Sequence, residues 1–187
     1  MRNKWMAGLL AGAMVIVSSE SVWAARPNDG RVEFGEIPHS QSRGEFVDVN
    51  IGKGMIALTA KLIAKQDPEA ASVLIGIDSV RLNVVGLDEE NALPVRQKAQ
   101  SLTTSMDQAG WIKIITTHQK GQDVSVHLKT NARNSVQGLT LVSIEDGREA
   151  IFLNVVGNIR PEQLTILGDR LQLETLEKAG KSVRSHK

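Results

Sequence analysis

The sequence has no cysteine and no tyrosine among its 187 residues, and only three phenylalanines and three tryptophans. Without cysteine, the chain cannot form a disulfide, a thiolate nucleophile, a zinc–thiolate site or a lipid-modified lipoprotein cysteine. The few aromatic rings are too few for a stacking platform that binds sugars or single-stranded nucleic acid. The fold must therefore depend on an aliphatic core, and several classes of site are excluded.

The chain also lacks a large net charge, since it has 22 basic and 21 acidic residues. Two of the basic residues, Arg2 and Lys4, and one acidic residue, Glu20, lie in the first 24 residues. The rest of the chain is therefore formally neutral and offers no bulk attraction to nucleic acid or to anionic lipid. We expect no nucleic-acid partner.

The N-terminus has the order of a secretory signal peptide, with basic residues, an apolar run from Trp5 to Val17 and a small-residue site ending at Ala24. The run is far shorter than the ~20 residues that span a bilayer. We predict cleavage between Ala24 and Ala25, no stable membrane span afterwards, and a periplasmic or secreted protein. The alternative is that the segment stays attached as a short membrane anchor.

The chain after Ala24 divides into three parts. Residues 25–44 are polar and turn-rich, and we predict a flexible leader with at most one short edge contact, made by Val32, Phe34 or Ile37. Residues 45–173 are long enough for one domain with its own core. Residues 174–187 have little to bury and are predicted to be a disordered basic tail.

The stretch from Ala150 to Leu167 indicates the fold. It is apolar on both faces up to Gly157 and then passes to a helix opened by Pro161, so we predict the central strand of a sheet, followed by a closing helix. Hairpin signals at Gly121 and Gly147 indicate antiparallel neighbours. We expect an α+β two-layer sandwich with a mostly antiparallel sheet of about five or six strands and about three or four helices, mainly on one face.

Two helices have clear signals of their own. Met55, Leu58 and Leu62, joined by Ile56 and Ile63, recur at helical spacing and predict a wide buried stripe on a helix from Met55 to Lys65. Asp67 before a proline predicts the capped start of a second, short helix.

Histidine could form a metal site only through His118 and His127, on the two strands of one hairpin. A two-residue loop places them on one face about 13 Å apart, whereas a three-residue loop sends them to opposite faces. Neither arrangement lets them share a metal, and we predict solvated strand histidines, with His127 facing outward. We expect no metal and no cofactor.

Catalytic patterns are also missing. No Gly-x-Ser-x-Gly elbow occurs, and the acidic clusters 88–90 and 145–146 lie in predicted turns, where solvent keeps carboxylates ordinary. We therefore assign no catalytic residue. The positions that we single out are structural: Asn154, Asn83, Trp111 and Gly157.

The two asparagines belong to a repeated motif, Leu-Asn-Val-Val-Gly, at 82–86 and 153–157. Duplication of a strand-turn-helix unit and coincidence both explain it, and we favour coincidence. Because asparagine is poor in strands unless its amide is used, we hypothesise that Asn154 holds a neighbouring loop or strand in place.

Three segments together, DPEAASVLIGIDSVRLNVV, GWIKIITTHQKGQDVSVHL and GLTLVSIEDGREAIFLNVVGNIRPEQLTIL, resemble an exported bacterial family known as domain of unknown function 4252. The resemblance covers about residues 45–171. It implies a compact α+β domain outside the cytoplasmic membrane and no assigned activity. It also implies a role in an envelope response, because such genes often lie near those of extracytoplasmic-function sigma factors.

We therefore expect a non-enzymatic periplasmic binding or regulatory domain. Its expected partner is an envelope protein that contacts a sheet face or edge. The alternatives are a small carboxylate-based hydrolase and a carrier of an apolar ligand.

Overall fold

The computed structural model describes residues 30–40, 45–119, 121–132, 135–160, 162, 163 and 166. The strands are β1 (Phe46–Gly52), β2 (Ile77–Gly86), β3 (Ile112–Gln119), β4 (Gln122–Thr130), β5 (Val136–Glu145) and β6 (Glu149–Ile159). The helices are α1 (Lys53–Ile63), α2 (Pro68–Ile75) and α3 (Ala92–Gln108). All six strands form one sheet in the order β1-β2-β6-β5-β4-β3. Every pairing is antiparallel, which confirms the predicted α+β class.

The predicted central strand is β6, which pairs with β2 on one side and with β5 on the other. Its alternate residues Ala150 and Phe152 are buried on one face, while Ile151 and Leu153 are half-buried on the other. The strand continues two residues beyond Gly157, the predicted end. An apolar strand with two covered faces explains why its sequence does not alternate with polar residues.

Both faces of the sheet carry helices. The α1 face packs against α1 and α2 through a core that includes Ile56 and Val73. The opposite face, here the α3 face, packs against Val95, Ala99 and other residues of α3. Two of the three described helices thus share one face, while the longest helix covers the other.

Gly30–Ser40, here called the strap, differs from the flexible leader predicted for residues 25–44. Its side chains Val32, Phe34 and Ile37 are buried in the core of the α3 face. The ring centroid of Phe34 lies 5.9 Å from that of Phe152, a residue of β6. The strap therefore lies across the sheet beside α3, and burial of its three apolar side chains stabilises this position.

The strap crosses β5 at a close approach between two backbones. A Cβ on Gly138 would lie 2.3 Å from the carbonyl oxygen of Gly30, and also 2.6 Å from Cη2 of Trp111. Gly30 itself has a φ of 70°, which favours glycine. Side chains at either crossing point would push the strap off the sheet.

The orientation of α1 differs from the prediction. Of the predicted stripe, Ile56 is buried, together with Ala60, and Ile63 is half-buried. Met55, Leu58 and Leu62 are exposed, so the prediction is wrong for these three residues. A helix with apolar residues on two sides does not itself say which side meets the core.

The second predicted helix is found as α2. Its first turn is capped as expected, because the Ala70 N–H donates to Asp67 Oδ1 at 3.0 Å.

Several predictions lie outside the described residues: the signal peptide 1–24, its cleavage at Ala24 and Ala25, and the tail 174–187. Of the predicted closing helix, Glu162, Gln163 and Ile166 are described, and all three are helical. Within the described ranges, every helix is too short or too polar to cross a bilayer.

Gly157→Ala should lower stability, because the new Cβ would lie 2.2 Å from the carbonyl oxygen of Gly76, just before β2 begins. Overpacking of this kind costs about 1–3 kcal/mol. Urea unfolding followed by circular dichroism measures the change. The control is Gly54→Ala in α1, where a Cβ meets nothing within 4 Å. That change should stabilise the domain by about 0.5–1 kcal/mol, and equal effects of the two substitutions would contradict the close approach.

Candidate functional site

The candidate site is a cleft of about 370 Å³ between α3 and the β3–β4 hairpin, here called the α3–β3 cleft. It lies on the α3 face, near the sheet edge formed by β3. Its walls are residues at helical spacing on α3 and alternate residues of the hairpin, and its floor comes from β5. The lining residues are Arg96, Ala99, Gln100, Thr103, Thr104, Asp107, Lys113, Thr116, His118, Asp123, Val124, Ser125, Val142 and Ile144.

One end of the cleft is closed by an ionic network. Arg96 contacts Asp123 at 2.9 Å and also pairs with Asp146. His118 Nδ1 lies 2.9 Å from Asp123 Oδ1. The hydrogen bond from His118, followed by that from Arg96, holds the pKa of Asp123 below its usual value despite partial burial. Asp123 is therefore ionised at neutral pH, and its negative charge is paired with Arg96 of the same chain.

The other end is closed by Asp107, near the C-terminus of α3. Its carboxylate lies 3.3 Å from Lys113 Nζ and 3.5 Å from His127 Nε2. Lys129 extends this end by donating to the Ala109 carbonyl, where the last carbonyls of α3 need donors. Cation and anion are thus matched at both ends of the cleft.

The middle of the cleft is neutral and polar. Hydroxyl and amide groups from Gln100, Thr103, Thr116 and Ser125 line it, above an apolar floor that includes Ile144. In the described chain, no cleft hydroxyl donates to His118 or to a carboxylate. The arrangement suits the binding of neutral polar groups better than the activation of a nucleophile, which needs a base in hydrogen-bond contact.

His127 corrects the prediction of a solvated histidine. It lies beneath α3 and is completely buried, whereas His118 is 76% exposed at its side chain. The hairpin has the two-residue loop, so both histidines lie on the α3 face, and α3 covers only the distal one. In the described chain neither ring nitrogen of His127 makes a hydrogen bond. Burial therefore lowers its pKa, although the Asp107 carboxylate offsets part of the effect.

The two histidines form no metal site. They lie at opposite ends of the hairpin, with His118 opposite Asp123 and His127 opposite Lys113. Among the residues that the structure describes, no three His, Asp or Glu side chains are grouped to hold a metal ion.

The singled-out structural residues lie outside the cleft. Asn154 is buried under the strap: its Nδ2 lies 3.1 Å from the Gly30 carbonyl, 3.2 Å from the Leu139 carbonyl and 3.1 Å from Thr140 Oγ1. Its Oδ1 accepts from the Val32 N–H at 3.1 Å. The amide thus ties the strap to β5 and β6.

Asn83 is also buried on the α3 face, where it lies opposite Phe152 in the pairing of β2 with β6. Its Oδ1 has no hydrogen-bond partner among the described residues, so it contributes less to stability than Asn154. Trp111 is buried in the α3-face core and packs its ring against Gly138. Gly157 lies at the close approach to Gly76 described above.

The cleft itself was not predicted from the sequence. Gln100, Thr103, Thr104 and Asp107 occupy one side of α3 next to its buried stripe, and this polar side is the signal that could have indicated a second contact surface. Threonine and glutamine are ordinary on exposed helices, so the pattern becomes informative only when α3 lies beside an edge strand.

Sheet and cleft together define an antiparallel α+β domain in which a helix and an edge strand enclose a neutral polar groove. The family described as Domain of unknown function (DUF4252) matches residues 41–167, and the chain belongs to it. No curated protein and no solved structure matches the chain.

Asn154→Val should lower the thermal midpoint by about 5–10 °C, because it removes the anchor of the strap and leaves backbone groups of Gly30 and Val32 unpaired. Differential scanning calorimetry measures the change. Asn83→Val is the matched control, with a smaller expected effect, because Asn83 has an unpaired Oδ1. An unchanged or higher midpoint for Asn154→Val would show that the amide does not hold the strap.

His127 should make stability depend on pH. Its pKa is lower in the folded state than the ~6.5 of an unfolded chain. The unfolded chain therefore takes up the proton first as the pH falls, and the stability present above about pH 6.5 is lost towards the lower, folded pKa. Urea midpoints measured at descending pH should fall less for His127→Leu than for the unaltered protein. Parallel curves for the two proteins would contradict this assignment.

Proposed function

We propose that this chain is a non-enzymatic binding domain that holds an extended polypeptide segment of an envelope protein in the α3–β3 cleft. The observation that carries the proposal is the position of the cleft, directly beside the edge strand β3. In the described chain β3 pairs only with β4, so its outer backbone groups are available to a further strand. Addition of a strand to such an edge supplies main-chain hydrogen bonds, and a neighbouring groove then selects side chains.

The lining of the cleft favours a neutral polar segment. Arg96 and Asp107 already pair with partners in the same chain, so they neither attract nor repel a charged ligand strongly. Thr103, Thr116 and Gln100 offer donors and acceptors to polar side chains, and Ile144 offers an apolar floor. A peptide of serine, threonine, asparagine or small apolar residues fits this chemistry.

The proposed place of action is the periplasm or the exterior of the cell. Support comes from the N-terminal segment, whose basic, apolar and small-residue order is that of a signal peptide. A regulatory role in an envelope response is consistent with a domain that binds a partner without altering it.

A carboxylate-based hydrolase is less well supported. General acid catalysis near neutral pH needs a carboxyl group whose pKa is raised. Asp123, the carboxylate at the mouth of the cleft, has a lowered pKa. Its partner His118 is mostly exposed, so the pair lies in water and not in a closed site.

Photo-crosslinking in intact cells tests the proposal. A benzophenone amino acid at Thr104, which lines the cleft, should give a crosslinked protein product, whereas the same group at Ser101, exposed on α3 but outside the cleft, should not. Thr103→Trp should fill the cleft and reduce the Thr104 product about tenfold, while Ser101→Trp leaves it unchanged. Equal products at the two positions, or a Thr104 product that survives Thr103→Trp in a folded protein, would contradict binding in the cleft.

A further inference from the structure

Helix α1 has a second apolar side that no described part of the chain covers. Met55, Leu58 and Leu62, at positions i, i+3 and i+7, are 62%, 52% and 71% exposed. Ile56 and Ala60 meet the core on the other side of the same helix. The exposed stripe therefore plays no part in packing α1 against the sheet.

The charged residues next to this stripe are all basic. From Gly52 to Gln66 the chain has three lysines and no acidic residue. Lys53 pairs with Asp78 at 2.7 Å. Lys61 lies three residues after Leu58 and is next to it on the helix surface. Lys65 follows in the turn after α1, three residues after Leu62. An apolar stripe bordered by lysines is the pattern of helices that lie in a membrane interface.

A separate groove lies between α1 and α2, on a different side of α1 from the stripe, since none of Met55, Leu58 and Leu62 lines it. It measures about 270 Å³ and is lined almost entirely by alanine, leucine and isoleucine side chains, with Lys53 and Lys61 at its walls. Ile75, at the end of α2, is 72% exposed and lines the groove. Lys61 lines this groove and also lies next to Leu58, so its charge borders both apolar surfaces.

We propose that the exposed stripe of α1, formed by Met55, Leu58 and Leu62, docks on a bilayer that contains anionic phospholipid. The formal neutrality of residues 25–187 does not oppose this, because attraction to a charged surface acts over about one Debye length and depends on the local lysines. A stable protein dimer buries roughly 800 Å² on each partner. Three or four side chains of one short helix fall well below that area, whereas the same side chains suffice for reversible membrane contact.

The test uses the full chain, whose lack of cysteine allows a single labelled site. An environment-sensitive nitrobenzoxadiazole label on Leu58→Cys should brighten and shift to shorter wavelength with vesicles of phosphatidylglycerol and phosphatidylcholine, but not with phosphatidylcholine alone. The matched control is Leu93→Cys on α3, since Leu93 is another exposed leucine, 65% exposed. Its label should not respond, and because both variants carry the same N-terminal segment, the difference belongs to the α1 surface.

Neutralising the two lysines gives a second measurement. Lys61→Gln with Lys65→Gln should raise the concentration of anionic vesicles that gives half of the Leu58→Cys signal about 25-fold, at about fivefold for each lysine. The proposal is overturned if the label does not respond, responds equally to neutral vesicles, or is equally bright at Leu93→Cys. It is also overturned if the Leu58→Cys label is already shielded without vesicles, since the surface is then covered by a second copy or by residues beyond Ile166.

Discussion

Burial of β6 on both faces is the constraint on which the rest of this structure depends. A strand that is mainly apolar on both faces needs packed layers above and below the sheet, and one layer of helices cannot provide both. The chain meets this need with α1 and α2 on one face and with α3 and the strap on the other. The cleft is a result of the same arrangement, because α3 must lie across the sheet and ends beside β3.

The strap shows why burial on the α3 face needs polar as well as apolar contacts. Its apolar side chains fill the space beside α3, but its backbone has no strand neighbour. Asn154 supplies the missing donors and acceptors from inside the sheet. A polar residue in the middle of the most apolar strand is therefore required by the polypeptide that lies on it.

The elements that could be predicted are those determined by local patterns. The two-faced pattern of β6, the turns at Gly121 and Gly147 and the cap at Asp67 depend on neighbours in sequence, and each is found in the structure. The burial of Phe34 depends on Phe152, 118 positions away, and that of His127 depends on how far α3 extends, so no local pattern indicates either. The cleft is harder still, because its threonines and glutamine acquire a common role only through the packing of α3.

The hydrogen bond between Asn154 and Gly30 joins residues 124 positions apart. Since β6 is the last described strand, the surface on which the strap packs does not exist until β6 has been synthesised. Phe34 and its neighbours must therefore remain without a native partner during most of chain elongation, and contacts of such long range form slowly. The strap thus lies early in the sequence, yet it is among the last described parts of the domain to reach its native position.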